Sequence, residues 1–343
     1  MYQPSIETIG KNLFGNTMSY EREDFDLPVS DYDLSTTKTI DALFEQMRTA
    51  GGFTATKLVQ ARDILRKAIN ETKKDDQVLN WLSFPACLMA TGTRGFFIEA
   101  IKSGSYNVIS TTCGTIDHDI ARTFRQYYHG SFDLDDALLG DVGLNRLGNV
   151  IVPNECYGEI LEPIILPWLE EIEAERKKKN PQNPWLGFGS VELCWAFGDR
   201  IEDESSFLHH AAKHRIPIVV PGLSDGSVGA QLFMHRQKSP EFMIDFLADE
   251  QILSDLTWTA KKSHALMVGG GISKHHVIWW NQYREGLDSA VGITTAPEHD
   301  GSLSGARTRE AISWGKIRQD APHVTVEGEA SVLLPLLGSS LFG

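Results

Sequence analysis

Apolar residues recur along this chain at two spacings. Over residues 40–73 they fall at Ile40, Leu43, Phe44 and Met47, then at Leu58, Ala61, Ile64, Leu65 and Ala68. Steps of three and four mark one face of a helix, so the segment predicts two helices around the break at Gly51-Gly52. Further on, short β-branched or apolar runs end in Gly, Thr, Asp or Pro and give way to a helical period. Runs at residues 107–111, 149–152, 216–220, 265–268, 290–294 and 323–326 predict strands. Stretches 157–177, 205–213, 240–256, 274–285 and 308–314 predict the helices between them. Strands alternating with helices of crossover length specify an α/β fold with a mostly parallel sheet flanked by helices. Residues 1 to about 38 are polar, acidic and aperiodic, and predict an arm on a neighbouring subunit or a partly disordered tail. The basic run at 177–184 reads as a solvated turn.

Composition narrows the class. The 343 residues are 41% hydrophobic and 23% charged, ordinary for a soluble protein with a full core. No stretch approaches the roughly 20 apolar residues that span a bilayer. The N-terminus carries Glu7, Glu21, Glu23 and Asp24 without the apolar centre of a signal peptide, which implies a cytoplasmic protein with no membrane role. A formal charge of −14 disfavours nucleic acid and suits cationic partners such as polyamines or lysine-bearing proteins. Cys87, Cys113, Cys156 and Cys194 are scattered, without zinc-ligand spacing, and His210 and His214 lack the rest of an H-E-x-x-H motif. No metal is expected.

The chemistry-bearing residues collect at predicted strand ends. Gly269-Gly270-Gly271 follows an apolar run and precedes a helix, the place where backbone amides approach a phosphate. The loops at 111–115, 223–227 and 294–296 share its small, polar character, and together they match the amide donors and the acid that an adenine dinucleotide needs. Lys274-His275-His276 opens the helix behind the glycines, bringing an imidazole that serves as a general base near neutral pH. Glu310 and Trp314, at i,i+4, would hold an alkylammonium between a carboxylate and an indole. Lys316 stands just beyond, in an apolar run where burial would free its amine to act as a nucleophile.

From about residue 80 to the end, the chain resembles deoxyhypusine synthases. The resemblance rests on Thr111-Thr-Cys-Gly114, Gly148-Asn-Val-Ile-Val-Pro153, Leu223-Ser-Asp-Gly-Ser227, Gly269-Gly-Gly-Ile-Ser-Lys-His-His276, Thr295-Ala296, Asp300-Gly-Ser, Ser304-Gly-Ala-Arg307 and Glu310-Ala-Ile-Ser-Trp-Gly-Lys-Ile317, in the family's order. It implies a single Rossmann-like NAD-binding domain over residues 1–343, with an N-terminal helical or arm segment to about residue 75. It implies a homotetramer with active sites shared across an interface. The implied reaction moves the aminobutyl group of spermidine, through an imine on Lys316, to a lysine of the translation factor 5A precursor.

By the same resemblance His275 abstracts a proton. Thr112, Gly114, Asp225, Gly270, Thr295, Ala296, Glu329 and Ala330 contact NAD, Glu329 standing where better-studied members have Asp. Asp117, His118, Asp300, Gly301, Ser302, Glu310 and Trp314 bind the polyamine. The chain departs from the eukaryotic pattern at Ala230 and Leu303, where acids are usual, and at Trp279 and Cys87, where asparagines are usual. These departures keep a homospermidine synthase-like enzyme, with putrescine as acceptor, as the alternative.

Overall fold

The structure, a computed structural model, describes residues 10–11, 17–18, 27–182 and 187–342. Most of the predicted N-terminal arm lies outside the described residues. The chain divides into two compact units, Met1–Val59 and Gln60–Gly343. Both predicted N-terminal helices form, as Ile40–Thr49 and Phe53–Thr72, and the Thr39 hydroxyl caps the first by accepting from the Ala42 amide.

The larger unit is built on six strands: β1 (Val78–Ser83), β2 (Val108–Ser110), β3 (Ile218–Val219), β4 (Lys262–Val268), β5 (Ser289–Thr294) and β6 (His323–Glu327). Every neighbour is parallel and the spatial order is β6-β5-β4-β1-β2-β3. That is the doubly wound order in which the chain reverses its direction of travel between the first and fourth strands, opening a crevice at their carboxyl ends. Helices α1 (Cys113–Phe124), α2 (Ser227–Lys238), α3 (Ile272–Gln282) and α4 (Ala330–Leu341) follow β2, β3, β4 and β6. The fold is therefore mixed α/β, its parallel sheet flanked by helices. No helix among the described residues is long and apolar enough to cross a membrane.

Three expectations need correction. Central strand β1 has no counterpart in the predicted set. All six of its residues are buried, so its pattern does not alternate, and polar Asn80 breaks the apolar run. The Asn80 amide group donates to the Ser105 carbonyl at 2.8 Å, and the Trp81 indole donates to Ser263 Oγ at 3.0 Å. The strand near residue 150 forms, as Val150–Pro153, but in a separate three-stranded antiparallel sheet with Tyr128–His129 and Leu144–Leu147. The helix predicted over 308–314 is a single 3₁₀ stretch, Thr308–Ile312. Ala311 and Ile317 fasten this segment to the core with Met267 of β4 and Val277 and Ile278 of α3.

Candidate active site

Two neighbourhoods hold the expected residues. The first is the carboxyl edge of the sheet. Thr111 donates its hydroxyl to the Phe84 carbonyl at 2.8 Å, and Thr112 Oγ1 accepts from the Ala86 amide at 3.2 Å, lacing the loops after β1 and β2 together. A Cβ on Gly114 would come within 2.9 Å of the Ala86 methyl. After β4, the Gly269 amide donates to the Ile293 carbonyl at 2.7 Å. Gly270 is used by its own chain: a Cβ there would lie 2.2 Å from Ser304 Cα. Gly271, at φ 75°, has nothing within 4 Å of that position and leaves its face open at the start of α3. Thr295 and Ala296 follow the end of β5, and the Ala296 amide donates to Thr294 Oγ1 at 3.1 Å. Asp225 is exposed in the loop before α2, while Glu329 caps α4 by accepting from the Ser331 amide at 2.9 Å, one residue before Ala330.

The second neighbourhood is a cavity of about 430 Å³ whose lining includes Met267, Lys274, His275, Ile278, Trp279, Leu303, Glu310, Trp314 and Lys316. His275 and Trp279 are four residues apart on α3, so their rings share a face and stack at 5.9 Å with 25° between planes. Gly315 adopts φ 65°, turning the chain sharply after Trp314. Lys316 then returns inward, its amide donating to the Ala311 carbonyl at 3.0 Å and its carbonyl accepting from the Leu287 amide at 3.1 Å. The residue is 9% exposed. Its Nζ stands 5.4 Å from the Trp314 ring centre and 5.9 Å from that of Trp279, and among the described residues it makes no hydrogen bond or ion pair. Glu310, exposed beside it, has no ion-pair partner among the described residues, because the arginine next to it, Arg309, turns to Glu298. Partial burial, and then the charge of Lys316, push the His275 imidazole below its ordinary range. A neutral ring can accept a proton.

Lys274 was given no role in the sequence reading. It is buried, and its ammonium donates to the carbonyls of Leu303 at 2.8 Å and Ala306 at 2.6 Å, pinning the loop that walls the cavity. Burial pushes its pKa down to about 8, against the opposing pull of Glu310. Its neighbour His275 drew attention in the sequence because imidazole is scarce and titrates near pH 7. A lysine shows nothing in sequence of where its amine will lie.

Other expected residues lie elsewhere. Asp117 is fully buried on α1, where its carboxylate accepts from the amides of Ser227 and Val228, each at 2.8 Å, and from the Tyr157 hydroxyl at 2.7 Å. It serves the first turn of α2, and does not line the lysine cavity. Burial still pushes its carboxyl upward, with these hydrogen bonds opposing. His118 lies 3.0 Å from the Tyr127 hydroxyl, and burial followed by the Arg122 charge pushes its pKa down to about 4. Asp300 is exposed on a short turn, accepting from the Ser302 amide at 2.7 Å across Gly301, at φ 70°. His210 groups with His209 and Glu204, not with His214, and its Nε2 meets the Glu204 carbonyl at 2.8 Å.

Comparison with known proteins gives a consistent result. A family model described as deoxyhypusine synthase matches residues 42–341. A Picrophilus torridus protein named probable deoxyhypusine synthase is 49% identical over 310 residues, covering 90% of this chain and 95% of its own. A Thermoplasma acidophilum protein of the same name is 47% identical over 310 residues, covering 90% and 96%. In fold, the chain is similar to the crystal structure of an Entamoeba histolytica protein described as a deoxyhypusine synthase, with TM-score 0.62 and 23% identity over 92% of this chain and 96% of that one.

Proposed function

Because the chain belongs to the deoxyhypusine synthase family, we propose that it moves the aminobutyl group of spermidine to a specific lysine of the translation factor 5A precursor. The observation that carries this reading is the Lys316 amine, buried and without a polar partner among the described residues, between two indoles and within electrostatic reach of a downshifted imidazole. A nucleophile needs a nitrogen that no other group holds, and the geometry leaves this one facing the cavity.

In this reading Lys316 attacks the imine carbon of oxidised spermidine. The carbon to nitrogen bond of the donor breaks, 1,3-diaminopropane leaves, and the four-carbon group is held as an imine on Lys316. His275 takes up the proton released as the polyamine is oxidised. Glu310 and Trp314 hold the cationic end of the polyamine, and Asp300, Gly301 and Ser302 form the turn that leads into the cavity wall. The acceptor lysine then displaces Lys316 at the same carbon. NAD, when bound, supplies the hydride acceptor at the start and the hydride donor at the end, so the net reaction is a transfer.

The carboxyl edge fits such a cofactor: Gly271 leaves an open cradle at a helix start, and the exposed carboxylates of Asp225 and Glu329 suit ribose hydroxyls. Thr112, Gly114, Asp225, Gly270, Thr295, Ala296, Glu329 and Ala330 would hold it, Gly270 by keeping Ser304 close. On this geometry Asp117 and His118 support the site by ordering α2 and its preceding loop. A cytoplasmic homotetramer with sites shared between subunits completes the proposal.

Incubation with NAD, radiolabelled spermidine and the cognate factor should label the factor. Folded enzyme that leaves it unlabelled removes this reading. Leu303, in the cavity wall where an acid is usual in eukaryotic members, keeps putrescine as the alternative acceptor, and chromatography of the products formed with putrescine separates the two.

A further inference from the structure

Glu204, His209 and His210 meet away from the lysine cavity, and the transfer reaction gives them no task. One candidate ligand atom from each lies within 4.8 Å of the other two. Glu204 belongs to the loop that leads into the helix Phe207–Lys213, and both histidines belong to that helix. Buried bonds hold this stretch in place. The Asp119 carboxylate accepts from the Ser206 hydroxyl at 2.7 Å and from the amides of Phe207 and Leu208, each at 2.9 Å, while the Arg94 guanidinium donates to Ser205 Oγ at 3.0 Å. The two imidazoles therefore stand on a rigid base.

His209 Nδ1 lies 2.5 Å from the Ile201 carbonyl, and a carbonyl only accepts, so Nδ1 carries the proton and Nε2 holds a lone pair. That Nε2 is shielded from water, has no hydrogen-bond partner among the described residues and lies 3.7 Å from Glu204 Oε1. Two groups that can only accept thus face each other, an arrangement that a positive group between them would relieve. A ring whose Nδ1–H is tied to a backbone carbonyl is also oriented as metal-ligating histidines are. His210 is 1% exposed, with Nε2 at 2.8 Å from the Glu204 carbonyl and 3.3 Å from Glu204 Oε2, and its Nδ1 has no hydrogen-bond partner among the described residues. To ligate through Nε2 this ring shifts its proton to Nδ1 and exchanges the carbonyl for the ion. The Glu204 carboxylate is exposed and is free to close on a cation, which would take the place of Lys213 Nζ, now 3.2 Å from Oε1.

We propose that Glu204, His209 and His210 bind one divalent transition-metal ion, with Zn²⁺ the best match. Two imidazoles and a carboxylate are ligands that suit zinc, whereas Mg²⁺ and Ca²⁺ take oxygen ligands. The formal charge of −14 adds a favourable field for a cation. None of the three residues lines the lysine cavity, so the ion fastens the loop before the helix to the helix itself and takes no part in transfer.

The test is calorimetric titration of ZnCl₂ into the full-length enzyme after dialysis against EDTA. One ion per chain should bind with Kd below about 50 μM, since three ligands on a fixed backbone are fewer than a full structural site offers. His209→Gln and Glu204→Gln should each weaken binding at least about tenfold. His214→Gln, at an exposed histidine four residues beyond His210, should leave it unchanged. Zn²⁺ should also raise the unfolding temperature of the wild type and of the His214 variant, but not of the other two. Wild-type binding weaker than about 50 μM overturns the site. So does a loss smaller than tenfold in either ligand variant, because the ion would then sit at other histidines. Glu204 is exposed, so Glu204→Gln decides the matter alone if His209→Gln fails to fold.

Discussion

Lys316 and Asp117 are both buried ionisable groups, and their surroundings are opposites. The carboxylate of Asp117 accepts from two backbone amides and a phenol, so the cost of taking it out of water is offset by donors fixed in place. The amine of Lys316 has aromatic faces and no polar partner among the described residues. One group is saturated and holds two helices together. The other is left with bonding capacity, which is the condition a nucleophile requires. From sequence the first is expected as nucleophile and the second as a polyamine contact; their bonding differs in the way just described.

The comparison breaks most visibly at the amine. Lys316→Ala should abolish transfer by at least about 10³-fold while leaving the unfolding midpoint nearly unchanged, as no polar partner is orphaned. Residual turnover near wild type, measured by factor labelling, would remove the covalent role. Asp117→Ala should do the reverse: it leaves two amides and a hydroxyl without their acceptor, a loss of about 3 kcal/mol in urea unfolding. Were stability unchanged and only polyamine affinity reduced, the carboxylate would be a ligand after all.

A smaller effect lies beside Asp117. His118 has a folded pKa of about 4, below the ordinary 6.5, so between those values the unfolded chain binds the proton that the native state refuses. The stability this ring contributes is complete above about pH 6.5 and is lost as pH falls toward about 4, by about 2–3 kcal/mol. Subtracting the pH dependence of His118→Gln from that of the wild type should isolate this limb; identical curves would show that the ring is not held neutral. Smallest of all, Glu310→Gln should raise the polyamine KM about tenfold, or about 1.4 kcal/mol, with kcat within about twofold. A fall in kcat alone would move Glu310 from binding to chemistry.

Much of the fold was legible because half-buried elements advertise their period. Helices 40–49 and 53–72 and five of the six sheet strands follow from spacing and turn residues. Strand β1 did not, because burial on both faces removes alternation and the partner of its mid-strand Asn80 is a carbonyl 25 residues away in the chain. The site divides along similar lines. Lys316, His275, Glu310 and Trp314 meet in one cavity, as their chemistry and order suggested. Lys274 escaped because ammonium burial is a tertiary outcome, and Trp279 stood out only as a departure from the family pattern, its approach to Lys316 being a contact between separate elements.

The contact between Gly270 and Ser304 has a consequence for mutagenesis. A methyl at 270 would collide with the main chain of Ser304, and a backbone cannot swing aside as a side-chain tip does. Leu303 and Ala306, on either side of Ser304, are tethered by Lys274. An alanine introduced at 270 to probe nucleotide affinity would therefore shift the wall of the lysine chamber as well. Its phenotype would read as a polyamine defect, and a survey scoring each glycine of the triplet as a phosphate contact would assign the damage to the wrong ligand.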